Sequence, residues 1–421
     1  MSGIESRLKL CALTLLLLSA FAITPAARAF DRHGLDEINS NVTALTETLN
    51  TKDIDASLAA AGRLLHPDET PLNTGDGQQT PGAVASSEAE RLPVTLSRAL
   101  LGPILLDLAL ETGSQGHREL LEASSPWGGE VLVLQSGTAT LETVSGALVE
   151  RGWQDLLSGS NGRFTLRIPL VIAENAMLSI MPDDDLEMAT ELGAFIINTG
   201  ELTIADASVA GSSANPRVGD FHPFILTARG GHAAIAGSRF SNLGFDSRPL
   251  MSGVSFGASM FASDKSTGIV RDSVFDNVRS VEVTGIDDFT FERNLIDGAR
   301  GIGLRLERLK NGIIRDNVIV LSGLHGLLAI ASTDMDVSGN IVAQSGARGF
   351  LGRDGVGHLT IRDNIFLANA DQGIWIAGGA CIDIRGNGIL RNRKDGILVE
   401  QSMGTRIAGN LLVRNQGRAF P

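Results

Sequence analysis

Six asparagines, Asn294, Asn317, Asn340, Asn364, Asn387 and Asn410, recur at intervals of 23, 23, 24, 23 and 23 residues. Three positions before each stands an apolar residue: Phe291, Ile314, Val337, Ile361, Ile384 and Ile407. Two positions after stands another: Ile296, Ile319, Val342, Phe366, Ile389 and Leu412. Nine positions after the first five come Gly303, Gly326, Gly349, Gly373 and Gly396. A chain with four registers locked to one period must be built from stacked units that bury their apolar sides against one another. A period near 23, with several short strands per unit and no long helical pattern, predicts a right-handed parallel β-helix with one repeat per coil. A leucine-rich horseshoe would need an L-x-x-L-x-L framework, which is missing. Equivalent residues in such a stack lie ~4.8 Å apart, so the asparagine amides are expected to bond from coil to coil as a structural ladder.

The same grammar runs less regularly before Asn294, through IADASVAG, AGSRFSNLGF and DSVFDNV, and EVLVLQ, FTLRIPLVI, AFIIN and ELTIADASV read as closely spaced strands. Residues 130–421 are therefore assigned to an all-β domain, a parallel β-helix, whose longer inserts before Asn294 are expected to overhang a groove. Residues 30–129 read as a small helical N-terminal region. Within it Leu35, Ile38, Val42, Leu45 and Leu49 keep helical spacing over residues 31–65, and a second helix is expected from about Ser97 to Glu111. Between them, at about 66–93, a Pro-, Gly-, Thr- and Ser-rich stretch reads as a flexible linker. Residues 1–29 have the form of a signal peptide, with Arg7 and Lys9 ahead of an apolar stretch from Leu10 to Ile23 and Ala27-Arg28-Ala29 as the cleavage site. That stretch is too short for an ordinary membrane span, and no later segment offers the ~20 apolar residues a span needs. The mature chain is thus expected to be exported and not membrane-spanning.

Charge narrows the partners. The 421 residues carry 35 Lys+Arg against 48 Asp+Glu, a formal net charge of -13, which argues against nucleic acid as a general ligand. From Asn294 to Pro421, however, 15 basic side chains outnumber 11 acidic ones. A polyanion suits that end of the protein, although uneven solvation of the surface explains the bias equally well. The acidic run Asp183-Asp184-Asp185 reads as a solvated turn rather than a metal site, and no metal ligands are assigned.

Alternation along a strand decides which side chains leave the coil. After each ladder glycine the outward column reads Arg305, Leu328, Leu351, Trp375, Leu398, and two positions further Glu307, Ile330, Arg353, Ala377, Glu400. Just before the glycine stand Ile302, His325, Arg348, Gln372 and Asp395. Guanidinium groups here suit sugar carboxylates, Trp375 offers a flat face to a pyranose ring, and Glu307 or His325 has the chemistry to move a proton. The alternative makes Arg305 and Glu307 a surface ion pair, His325 a packing residue and Trp375 part of an apolar patch with Leu351 and Leu398.

From about residue 160 to 415 the sequence resembles the periplasmic mannuronan C-5-epimerases of alginate biosynthesis. The likeness rests on GRFTLRIPLVI, GAFIINTGELTI, FHPFILTARGG followed by SRFSNLGFDS, and the regular coils after Asn294. The resemblance implies a periplasmic β-helix, an anionic uronate exopolysaccharide as ligand, partners in a synthesis-and-export complex, and no cofactor. In the family signature GIDPHD the histidine is the presumed base; the corresponding coil here is GLRLER, Gly303 to Arg308. Arg305 stands at the first Asp, Glu307 at the His and Arg308 at the second Asp. The next coil keeps His325 and Gly326 in SGLHGLL without the family's basic run, and the chain has no tyrosine. The expected catalytic set is Glu307, His325 and Arg305, and the expected substrate-binding set Arg308, Arg348, Arg353 and Trp375. Three activities fit these residues: C-5 epimerisation with a degenerate motif, catalytically silent polysaccharide binding in an export complex, and polyuronate lysis.

Overall fold

A computed structural model describes residues 32–65, 93–112, 117–245, 250–258 and 265–417. The signal-peptide reading and nearly all of the linker at about 66–93 lie outside the described residues. Each regular coil has three strands, for example Leu304–Glu307, Lys310–Arg315 and Val318–Val320, followed one turn later by Leu327–Ile330, Thr333–Ser338 and Ile341–Ala343. Successive coils pair in parallel and in register: Leu304 with Leu327, Ile314 with Val337, Ile319 with Val342. The result is a parallel β-helix with a first sheet after the glycines, a second before the asparagines and a third after them. The first and second merge where single strands, Phe350–Arg362 and Ile374–Arg385, span both, giving a 19-stranded sheet beside one of 12 strands.

Both sequence ladders have physical causes. Asn317 donates its amide to Asn340 Oδ1 at 2.9 Å, receives a bond from Asn294 at 3.1 Å, and donates also to the Phe291 carbonyl at 2.9 Å. Backbone N–H groups join in, as when Asn340 N donates to Asn364 Oδ1 at 2.9 Å. This satisfies polar groups that would otherwise be buried without partners. Ser238 and Ser273 carry the column toward the N-terminus, where Ser273 N donates to Asn294 Oδ1 at 3.0 Å. A second ladder, Asn369–Asn392–Asn415, lines the next corner. The ladder glycines answer close approach rather than unusual dihedrals: a Cβ on Gly303 would sit 2.6 Å from the Gly326 carbonyl oxygen, and one on Gly349 2.7 Å from that of Gly373.

Helices cover what the coils leave open. Helices α1 (Arg32–Thr51) and α2 (Ile54–Leu65) form a hairpin whose Ile38, Val42, Leu45, Ala60 and Leu64 bury against Leu295, Val318, Ile341, Ile365 and Leu390 on the outer face of the third sheet. The helical region is therefore docked along the coils. Asn39 bonds Arg391 at one end, and Lys52 pairs with Asp297 at the other, four coils away by the register Asp297–Val320–Ala343–Leu367–Leu390. Four coils span ~19 Å, and the helix from Asn39 to Thr51 rises ~18 Å, so the hairpin runs along the stack.

The second expected helix starts later than its composition implies. Thr95–Leu100 is a strand, antiparallel to Glu130–Thr140 on the first coil, and α3 (Leu101–Thr112) begins only afterwards. Its alternation puts Leu96 into the core, and the strand covers an edge that would otherwise template pairing with another chain. Leu101, Leu105 and Leu108 of α3 and Leu120 of α4 (His117–Ala123) then cover the outward Val131, Val171, Ile197 and Leu226 of the first coils. Helix α5 (Leu141–Glu150), opened by a Thr140–Thr143 capping box, packs Leu141, Val144 and Leu148 into the core at the N-terminal end. Asp183 lies in a turn, with Met181 N donating to the Asp184 carboxylate at 2.8 Å, and Asp185 opens the next strand.

Candidate functional site

Beyond the helical cover, the outward column of the first sheet is continuous through Ser255, Glu282, Arg305, Leu328, Leu351, Trp375 and Leu398. The neighbouring column runs Gly257, Thr284, Glu307, Ile330, Arg353, Ala377, Glu400. At the corner, Gly303 N donates to the His325 carbonyl, Gly326 N to that of Arg348 and Gly349 N to that of Gln372, each at 3.0 to 3.1 Å, which stacks His325, Arg348 and Gln372. All seven expected site residues thus lie on one face and its edge, in two groups.

The first group is a chain of alternating charge. Glu282, 1% exposed, accepts from Leu250 N at 3.0 Å and from Ser252 Oγ at 2.9 Å through one oxygen. Its other oxygen lies 3.2 Å from Arg305 Nε, a charge contact whose angle leaves neither atom a true hydrogen bond. Arg305 Nη2 then donates to Glu307 Oε2 at 2.6 Å, and Arg308 donates to the other oxygen of Glu307. Burial pushes the Glu307 carboxyl up, but the Arg305 and Arg308 guanidiniums outweigh it and hold the group below the usual glutamate range. Burial dominates at Glu282 and raises its carboxyl despite Arg305.

Arg348 centres the second group. Its Nη2 lies 3.2 Å from Asp371, its Nε donates to Gln372 at 3.2 Å, and its guanidinium sits 4.1 Å from the Trp375 ring centroid, a cation–π contact. Lys394 reaches the same Asp371 at 2.6 Å, and Trp375 donates through Nε1 to Glu400 at 2.9 Å. His325 accepts the Arg348 backbone N–H at Nδ1, 3.3 Å away. Burial, reinforced by the Arg348 charge, lowers its pKa to about 4, so the ring is neutral at pH 7 and carries its hydrogen on Nε2. Arg353 pairs with Asp354 at 3.4 Å and is largely solvated. Between the groups lies an apolar strip of Leu328, Ile330 and Leu351 packed by Ile302, Ala331 and Trp375. Leu328 and Leu351 are only 3% and 6% exposed, so the strip is a small satellite core rather than an open patch.

Three participants were not anticipated. Glu282 stands one 23-residue period before Arg305, so extending the outward column by one coil would have found it. Asp371 and Lys394 occupy the same corner position on successive coils, a column that pattern reading had left unassigned.

Comparison with known proteins gives this geometry relatives. The Mannuronan C5-epimerase of Pseudomonas aeruginosa is 25% identical over 125 residues, 28% of this chain and 22% of that protein. That of Pseudomonas fluorescens is 25% identical over 191 residues, 40% and 35% of the respective chains. This chain is similar to mannuronan C5-epimerases. The matches span only about a fifth to a third of the length of these curated relatives. The crystal structure of the periplasmic alginate epimerase AlgG shares the fold, with a TM-score of 0.61 at 18% identity over 79% of this chain and 95% of AlgG. Residues 251–419 also match the family model described as periplasmic copper-binding protein (NosD). Copper does not fit the side chains here: among the described residues no three His, Cys, Asp or Glu gather to hold a metal ion. On the candidate face His325 Nδ1 is occupied by a backbone N–H and Glu307 by two guanidiniums.

Proposed function

We propose that the protein binds an acidic, uronate-bearing exopolysaccharide in the periplasm along the outward face of the first sheet, as an epimerase-like binding protein that does not turn its ligand over. Glu307 carries the reading. Its carboxylate is held between Arg305 and Arg308 and is more acidic than usual, whereas a base that removes the C5 hydrogen of a uronate needs a raised pKa. His325 does not replace it, because Nδ1 already accepts a hydrogen bond and Nε2 carries the hydrogen. What the face supplies is recognition: Arg348 poised on Trp375, an adjacent Lys394, a solvated Arg353 and a neutral imidazole N–H donor. Similarity to mannuronan C5-epimerases favours a polyuronate over other polyanions. Membership of an export complex is the natural setting for a binding protein of this kind.

Titration calorimetry with polymannuronate tests the reading. Binding that weakens with added salt, and weakens further in Arg348→Ala and Trp375→Ala, is expected; equal binding to a neutral glucan, or none to polymannuronate, would overturn it.

A further inference from the structure

Several arginines along the second sheet are answered by carboxylates, although Arg271 and Arg406 are not among them. Arg293 meets Asp272 and Asp55, Arg315 meets Glu292, Arg362 meets Asp336 and Asp363, and Arg385 meets Asp383. The corner leading from the third sheet back to the first carries four cations on two neighbouring coils, of which only Lys394 meets a carboxylate, Asp371, among the described residues. Arg391, Arg393 and Lys394 lie on one coil, and Arg414 lies on the next; Arg391 N donates to the Val413 carbonyl at 2.9 Å and Gln416 N to that of Asn392 at 3.0 Å, which stacks the two segments. Among the described residues Arg391, Arg393 and Arg414 make no ion pair, and the Arg391 side chain donates to Asn39 Oδ1 at 3.5 Å. On this ridge Arg391 and Arg414, one coil apart at ~4.8 Å, repel one another, a repulsion that an anion bound between them would relieve.

We propose that Arg391, Arg393, Lys394 and Arg414 form a second anion site, continuous with the first-sheet face, that takes further carboxylates of the same acidic polysaccharide. Continuity is the argument for a polysaccharide rather than a membrane surface: Lys394 shares Asp371 with Arg348, which itself lies on Trp375, so the ridge and the face are joined by one ion network. The inference rests on the reading of that face as a polyuronate-binding surface. It adds that a long chain is held at two places and a short one at only one.

The test uses the exposed pair in an Arg393→Glu/Arg414→Glu variant, with Arg393→Gln/Arg414→Gln as a milder version, both checked by circular dichroism. Long polymannuronate is expected to bind roughly tenfold more weakly to the charge-reversed protein at low salt, with a shallower salt dependence, while a short oligomannuronate is held as before. Unchanged affinity for the long polymer would overturn the second site alone. A loss confined to binding of phosphatidylglycerol vesicles would also overturn it, assigning the ridge to a lipid surface. Failure of the unaltered protein to bind any polymannuronate would overturn the face and the ridge together, and is seen before any variant is compared.

Discussion

Glu307 and Glu282 are two carboxylates on adjacent coils whose acidities move in opposite directions. Glu307 is depressed by its guanidiniums, so it contributes stability above the ordinary glutamate pKa that is lost as pH falls through its lower folded value. Glu282 is raised by burial, so its contribution is present at low pH and lost as pH rises through its folded value. Replacing Glu307 by Gln leaves Arg305 and Arg308 without their shared anion. We expect a loss of about 1–3 kcal/mol in chemical denaturation, together with severalfold tighter polymannuronate binding as the two guanidiniums become available; unchanged binding would remove them from the ligand surface. His325 supplies a pH test. Its folded pKa of about 4 lies below the ordinary 6.5, so the unfolded chain binds a proton first and stability falls between those values as the solution is acidified. Thermal unfolding followed from pH 7 to pH 4 should show that slope, flattened in His325→Gln. At this scale the sequence was legible wherever the period was strict: Arg305, Leu328, Leu351 and Trp375 stack as alternation requires. It was silent on partners such as Asp371, because a column says which residues are neighbours and not which way a flexible side chain turns to meet a charge.

At the scale of elements, the asparagine ladder and the helical hairpin stabilise the stack in different ways. Asn340→Ala would strip the acceptor from the Asn317 amide and backbone, and the donor from Asn364, all inside the coil. Several buried polar groups lose partners at once, and a cost of about 3 kcal/mol or more is expected in equilibrium unfolding. Leu45, fully buried under the hairpin, should cost about 2–4 kcal/mol on truncation to alanine. The two outcomes separate by location: hydrogen exchange should rise throughout the neighbouring coils for the asparagine and mainly within Arg32–Leu65 for the leucine. Docking of the hairpin was readable in principle. Strands that alternate have one covered face, but VIV, IVA and IFL at Val318–Val320, Ile341–Ala343 and Ile365–Leu367 are apolar throughout, which means cover on both sides. The strand at Thr95–Leu100 was hidden for the opposite reason: its Leu and Ala content favours helix, and only pairing with the first coil makes it extended.

Across the whole molecule, stacking converts a linear repeat into a face. Residues a period apart in sequence become neighbours ~4.8 Å apart, and the first sheet is covered by helices over its early coils and bears its charged and aromatic residues over the later ones. The basic surplus of the C-terminal third includes Arg391, Arg393 and Arg414, which among the described residues make no ion pair and lie on neighbouring coils near one end of the stack. Fold and face were therefore largely present in the period itself, whereas the state of Glu307 depended on three-dimensional company that no spacing reports. Whether that company silences the residue is the central question, and it has a direct measurement. Polymannuronate incubated with the purified protein in deuterated water, then examined by proton NMR, should keep every C5 hydrogen and gain no guluronate or unsaturated chain ends. Deuterium at C5 would contradict the account, since it would require a base that the ion chain from Glu282 to Arg308 does not leave free.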